Sequence, residues 1–313
     1  MNSREKWRSS IGFVLASAGS AVGLGNLWGF AYRASQGGGL AFLLLYLIIV
    51  LTVCLPILVA EMVLGRSTGR SPLIAPVAAG GNKWRAMGWL FVIASLGILA
   101  FYAVLMGWTG HTLIHSILFG LPSDIEQAET FFNSVSSGNS VLFGQLISLV
   151  LTGLVVSAGI RSGIERLTKW CIPLLFLLLI ILAFWAASLP GAWEGYRTFL
   201  LRWDINQLFN PTTVRNAFTQ AFFSIGTGIG CILAYSAYLE KKNKLPKEAL
   251  TVIGLDTVVG LLAGMVTFPI VISFRLQDVI SESTVGTLFI SIPTGLGNLG
   301  FTGRMVAILF FGL

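Results

Sequence analysis

Gly19-Ser20-Ala21-Val22-Gly23-Leu24-Gly25-Asn26 interrupts an apolar stretch that runs from Ile11 to about Ala34. Ser224-Ile225-Gly226-Thr227-Gly228-Ile229-Gly230 interrupts a second, from about Thr213 to Leu239. In hydrocarbon an unsatisfied backbone amide costs several kcal/mol, so a helix breaks at that depth only beside a protein-lined or wet cavity. Unwound backbone there offers carbonyls to a cation and helix N-termini to an anion. Two such breaks predict a binding site at the midplane of a membrane.

Composition places the rest of the chain in the same environment. It is 55% hydrophobic and only 11% charged, with a mean hydropathy of +0.83, whereas ordinary soluble domains carry roughly 25% charged residues. Apolar runs at 40–64, 87–118, 141–160, 171–189 and 250–273 meet or approach the ~20 residues a spanning helix needs. With the two broken segments they predict seven spans, and Met305 opens an eighth. The net charge of +7 reads as topology, not as nucleic-acid affinity. The N-terminus (Arg4, Lys6, Arg8) and the connections holding Arg66, Arg70, Lys83, Arg85, then Arg161, Arg166, Lys169, then Lys241, Lys242, Lys244 and Lys247 contain 14 of the 20 basic residues. They fall on one side if the spans alternate, and by the positive-inside rule that side, with the N-terminus, is cytoplasmic. The apolar run at the start is too long, and Asn26 too polar, for a cleavable signal peptide.

Several signals point away from other chemistry. Cys54, Cys171 and Cys231 lie in apolar stretches without metal-ligand spacing and read as packing residues. His111 and His115, four apart, are the chain's two histidines, too few for a three-histidine metal site, and read as interfacial. No nucleophile–base pair or nucleotide loop stands out, so the chain reads as a non-enzyme. The basic loops are short, while those at 119–140, 190–211 and 274–302 are long enough to form a vestibule. One broken helix opens the chain and the other follows the fifth span, which suggests two five-helix repeats.

The ordered motifs resemble the neurotransmitter:sodium symporter family, in particular its bacterial amino-acid transporters. They are Arg4-Glu5-Lys6-Trp7, the first glycine break, Gly37-Gly38-Gly39, Glu61-Met62-Val63-Leu64-Gly65-Arg66, Phe101-Tyr102 with Trp108, Gly159-Ile160-Arg161-Ser162-Gly163-Ile164-Glu165-Arg166 with Pro173, and Gln220-Ala221-Phe222-Phe223-Ser224. The resemblance covers essentially all 313 residues. It implies an all-α polytopic membrane helix bundle, the five-helix inverted-repeat transporter fold with broken first and sixth helices. It implies one transmembrane domain over 1–313, with 1–187 as first repeat and 212–313 as an incomplete second repeat, the chain as given being truncated in the eighth helix.

The same resemblance assigns roles. Na⁺, the co-transported ion, would take oxygen ligands as hard cations do. A first sodium site would use the Ala21 carbonyl, Asn26, Ser224 and Asp256. A second would use the carbonyls of Gly19 and Val22 with ligands from the eighth helix, beyond Leu313. An amino-acid carboxylate would meet the first sodium, the amides near Gly23 and Gly25, and Tyr102, while its ammonium meets carbonyls of Ala21, Phe223 and Ser224. Ile98, Tyr102, Phe223, Gly226 and Ile229 would line the side-chain pocket. Relatives that carry monoamines place an aspartate where this chain has Gly23, so glycine there favours a cargo bringing its own carboxylate. Chloride-site equivalents are Tyr46, Gln220, Ser224 and Asp256; gating falls to Arg4, Trp7, Gly163 and Pro173. Glu61 would bond backbone freed by the sixth-helix break, or else snorkel to the interface. Gly163 and Pro173 would permit unwinding of the fifth helix, or simply start and kink it.

Three positions depart from the family pattern. Trp28-Gly29-Phe30-Ala31 lacks the usual Arg and Pro, leaving Arg33 one turn along as a substitute cation. Asp256 stands where many relatives have Asn, and is expected to supply the fixed negative charge that makes chloride unnecessary, unless neighbouring hydroxyls merely hydrogen-bond it. Gly260 occupies the position where bacterial members often carry a Glu. The function implied is sodium-coupled symport of a small neutral amino acid across the bacterial inner (cytoplasmic) membrane by alternating access. The alternative is a truncated, transport-inactive membrane fragment acting only through helix packing. The partners expected are the amino acid and the lipid bilayer but no nucleic acid, and a homodimer is left open.

Overall fold

The computed structural model describes residues 5–23, 25–274 and 287–312. Arg4, expected in gating, lies outside the described residues, as do Leu24, part of the 274–302 loop and Leu313. Helices make up the architecture, and no strand occurs among the described residues.

Both predicted breaks are present. Helix α1 (Ser10–Ala21) ends at an extended Val22, a π-helical turn resumes at Gly25–Gly29, and α2 (Phe30–Gln36) completes the first broken helix. Ser9 starts α1 by accepting the Gly12 N–H on its side chain at 3.0 Å, the usual way to satisfy an orphan amide. Among the described residues, five uninterrupted helices are long and apolar enough to cross a membrane: α3 (Leu40–Thr68), α4 (Asn82–Leu118), α5 (Gly138–Ser157), α6 (Ile160–Ala187) and, later, α9 (Leu245–Ser273). Between them lies the second broken helix, α7 (Pro211–Ile225) and α8 (Cys231–Ser236). Helix α10 (Gly300–Gly312) is the last described.

Burial sorts these elements by role. Helix α9 is lined with buried residues along its whole length, and it packs on α1 and α6. Helices α4, α5 and α6 instead expose large apolar side chains such as Leu90, Ile93, Leu146, Leu154 and Phe184, the surface a bundle presents to lipid and would not leave to water. Where two of these peripheral helices cross, glycine is a steric requirement. A Cβ on Gly107 of α4 would lie 2.9 Å from the backbone of Gly144 on α5.

Three expectations change. Cys54 is buried and Cys231 half-buried, but Cys171 is exposed on the outer face of α6 and packs nothing. The helix expected over 171–189 begins at Ile160, because the polar stretch before it is helical too. The connection at 119–140 is itself mostly a helix (Ile125–Ser136), capped by Asp124, whose side chain accepts the Gln127 N–H at 2.8 Å.

The glycine crossing gives a direct test. Gly107→Leu is expected to lower stability in detergent by roughly 1–3 kcal/mol through overpacking. Gly97→Ala, on the same helix with open space around it, is expected to leave the melting temperature unchanged or raise it slightly.

Candidate functional site

The two breaks meet at a buried carboxylate. Asp256, fully buried in α9, accepts on Oδ1 from Asn26 Nδ2 at 2.7 Å and on Oδ2 from Ser224 Oγ at 2.7 Å. Tyr46 of α3 adds a longer bond to Oδ2 at 3.4 Å. Asn26 also donates to Ser224 Oγ at 2.8 Å, and its Oδ1 accepts the Gly23 amide at 3.3 Å. Asn26 follows the first break, Ser224 precedes the second, and a single carboxylate joins them. A charge withdrawn from water in this way is expensive unless it is hydrogen-bonded or paired with a cation.

Each break is satisfied locally by a partner from elsewhere. In the second, Gly226, Gly228 and Gly230 all have positive φ (66°, 85° and 79°), a conformation that strains any residue with a Cβ. The Gly228 N–H freed there donates to Glu61 Oε1 of α3 at 2.5 Å, as expected for Glu61. The surrounding motif clamps the same element. At Gly65, one turn along α3, the Leu233 carbonyl and Ser236 hydroxyl of α8 take the space a side chain would fill, and Arg66 donates to the Asn243 carbonyl at 2.7 Å. In the first break, the Gly25 carbonyl accepts from Gln220 Nε2 of α7 at 3.1 Å.

Above the carboxylate cluster the walls turn aromatic. The rings of Tyr102 and Phe223 lie parallel with centroids 6.4 Å apart. A Cβ on Gly23 would stand 3.3 Å from the Tyr102 hydroxyl, and one on Gly25 would run into the Phe223 ring. Ile98 is half-buried one turn before Tyr102 on α4, and Ser95 on the same face donates to the Ile229 carbonyl at 3.1 Å. Tyr102 and Phe223 thus face each other beside Gly23 and Gly25.

Other predicted residues sit apart from the cluster. Gly19 packs on α6, where a Cβ would be 3.0 Å from Ile172, and Val22 packs with Leu179 and Val259. Gln220 turns away from Asp256 toward Gly25 and Arg33, so of the four chloride-site equivalents Tyr46, Ser224 and Asp256 converge. Trp7 is buried and donates its indole N–H to the Tyr235 carbonyl at 2.8 Å. Gly163 is buried in a π-helical turn and Pro173 lies exposed inside a continuous helix, so the segment between them is wound.

The departures have steric explanations. At Gly260 the Phe30 ring lies 3.1 Å from where a Cβ would be, and Phe30 stands edge-on against Tyr46; a side chain at 260 would press on that ring. At Gly29 the guanidinium of Arg33 lies 2.9 Å from a Cβ position and bonds Gln220. Arg33, one turn along, thus brings its guanidinium into the space beside Gly29. Sequence reading raised Arg33 as a substitute but missed Gln220 as its partner. It also missed Thr227, buried in the second break beside Cys54 of α3.

A protein-family model for the sodium:neurotransmitter symporter family matches residues 4–137 and 125–313. The chain belongs to that family. It is therefore a multi-pass membrane protein of a transporter family, and not an enzyme. An uncharacterized sodium-dependent transporter of Methanocaldococcus jannaschii, MJ1319, is 38% identical over 98% of this chain and 65% of its own length. A second such transporter, YhdH of Bacillus subtilis, is 36% identical over 98% of this chain and 69% of its own. The crystal structure of MhsT in complex with L-phenylalanine superposes with a TM-score of 0.87 at 36% identity, covering 99% of this chain and 70% of that one. The chain thus spans about two thirds of the length of the relatives it matches.

Glu61→Leu is expected to leave the Gly228 amide unpaired in a dry environment, costing on the order of 1–3 kcal/mol. Thermal unfolding in detergent measures this, with Glu61→Gln retaining most of the stability because its carbonyl still accepts.

Proposed function

We propose that this protein carries a small neutral amino acid across the cytoplasmic membrane together with Na⁺, by alternating access. The observation that carries the reading is the Asn26–Ser224–Asp256 cluster tying the two helix breaks together at a buried carboxylate. Sodium prefers oxygen donors, and the cluster supplies a carboxylate, a hydroxyl and an amide beside the end of α1. A cation held there by Asn26, Ser224, Asp256 and the Ala21 carbonyl would offset the cost of the buried charge. Asn26 would turn its amide oxygen toward the ion. Gly19 and Val22 carbonyls serve a second ion in this reading.

Cargo chemistry follows from what the pocket lacks. Gly23 carries no acidic side chain, and the nearby Tyr102 hydroxyl would crowd one. An amino acid's own carboxylate, facing the Gly25 amide, Tyr102 and the first sodium, fills that role. Its ammonium would meet carbonyls of Ala21, Phe223 and Ser224, and Ile98, Gly226 and Ile229 would leave an apolar slot for its side chain. The L-phenylalanine bound in the MhsT crystal structure supports an amino-acid cargo. Substrate then completes the ion site and the ion completes the substrate site, which makes the coupling reciprocal.

Trp7, Arg4, Gly163 and Pro173 belong in this reading to the inner gate. The N-terminus lies at the end of the bundle that also holds Arg66, Arg161, Arg166, Lys169, Lys244 and Lys247, which supports a cytoplasmic N-terminus in a bacterial inner membrane.

Uptake of radiolabelled amino acids into proteoliposomes under an imposed Na⁺ gradient tests the reading. Uptake is expected to vanish without Na⁺ and to fall to background in Asn26→Leu and Tyr102→Ala; sodium-independent uptake overturns it. Replacing chloride by gluconate is expected to leave wild-type uptake unchanged, because Asp256 carries the fixed charge. Asp256→Asn is expected to become chloride-stimulated.

A further inference from the structure

At the N-terminal end of the bundle a pocket of about 370 Å³ opens between the chain's first residues and the foot of α6. Arg8, Arg161, Arg166 and Lys169 line it together with a single acid, Glu165, and Trp170. That acid is already committed. Its carboxylate takes the Arg8 amide at 2.8 Å, the Ser9 hydroxyl at 3.3 Å and the Lys169 ammonium at 2.7 Å. The Arg161 side chain donates to the Lys6 carbonyl at 2.6 Å, and Glu5 nearby is occupied by the amides of Ile160 and Arg161. The guanidinium groups of Arg8 and Arg166 have no acidic partner among the described residues. Four cations line the pocket; Glu165 pairs with Lys169, and Glu5 and Glu240 lie near Arg161, so the net positive charge rests on Arg8 and Arg166.

One wall continues into an apolar track. From the pocket's edge, Leu167, Trp170, Leu174, Leu177, Ile181 and Phe184 follow one another at steps of 3, 4, 3, 4 and 3 along a single face of α6, each between 44% and 78% exposed. Seventeen residues of helix rise about 25 Å, most of the ~30 Å hydrocarbon thickness. Trp170, 78% exposed at the foot of this track, stands where tryptophan favours the interface between headgroups and acyl chains. A soluble anion has use for the cations but none for the track; a lipid uses both.

We infer that this pocket binds the phosphate headgroup of an anionic phospholipid, whose acyl chain lies along the exposed stripe of α6. Arg8 and Arg166 supply the free charges, Trp170 sits at the glycerol level, and Lys169 contributes while holding Glu165. Basic pockets at the membrane surface recognise anionic headgroups in this way. The site is separate from the helix breaks and does not depend on which solute the protein carries.

The test is native mass spectrometry of the protein released from vesicles of equal parts phosphatidylcholine and phosphatidylglycerol. The wild type is expected to retain phosphatidylglycerol preferentially. In Arg8→Gln/Arg166→Gln that preference is expected to fall about fivefold for each arginine removed, while Arg8→Lys/Arg166→Lys keeps it. Arg202→Gln/Arg215→Gln, an equal charge loss at the opposite end of the bundle, is expected to match the wild type. A glutamine pair that keeps the wild-type preference overturns the proposal. So does a wild type without lipid preference that binds inorganic phosphate in pure phosphatidylcholine vesicles, since that makes the pocket a free-anion site.

Discussion

Backbone that leaves a helix inside hydrocarbon has no water to fall back on, and this fold is arranged around that demand. Each break recruits a long polar side chain from a distant element: Glu61 of α3 for the Gly228 amide, Gln220 of α7 for the Gly25 carbonyl. Asn26 and Ser224 then bind the two breaks to each other through Asp256. These links run between segments up to 230 positions apart in sequence, so the centre cannot be assembled before both broken helices and α9 are in place. Helix α9, which carries Asp256, is lined with buried residues along its length, whereas the peripheral helices α4, α5 and α6 turn apolar side chains outward.

Much of this was legible in the sequence because hydrophobic length and glycine clustering are local signals. The spans and both breaks follow from them directly, and the convergence of Asn26, Ser224 and Asp256 agrees with the family resemblance. The purpose of the individual glycines was less legible. Gly226, Gly228 and Gly230 are glycine for backbone conformation, Gly23 and Gly25 because aromatic side chains approach them, and Gly65 because a neighbouring carbonyl does. All look alike as letters. Cys171 was misread for a related reason: an apolar stretch does not reveal which of its faces meets protein.

The exchanges at Gly29 and Gly260 show how a departure from a family pattern is absorbed. Removing a side chain at 29 makes space, and Arg33 fills it from one turn away while its guanidinium engages Gln220. Removing one at 260 admits Phe30, which in turn presses on Tyr46 beside Asp256. Both rearrangements bear on the carboxylate cluster, one through Gln220 and Gly25, the other through Tyr46. Neither is visible position by position, because the compensating residue is displaced along its own helix or supplied by another.

The end of the bundle that holds the start of α6 obeys the same rule as the centre. Helix α6 begins with amides that lack intrahelical partners, and the Glu5 carboxylate accepts those of Ile160 and Arg161 at 3.2 and 2.8 Å. A negative group there also sits favourably in the helix dipole. Two residues on, Trp7 anchors to α8 through the Tyr235 carbonyl, and the next residue's amide bonds Glu165. The segment leading into α1 is thus fastened to the start of α6 on one side and to α8, the second half of the second broken helix, on the other. Any outward swing of α1 must release both fastenings together, so the hydrogen bonds that finish α6 also restrain the element carrying Asn26's break.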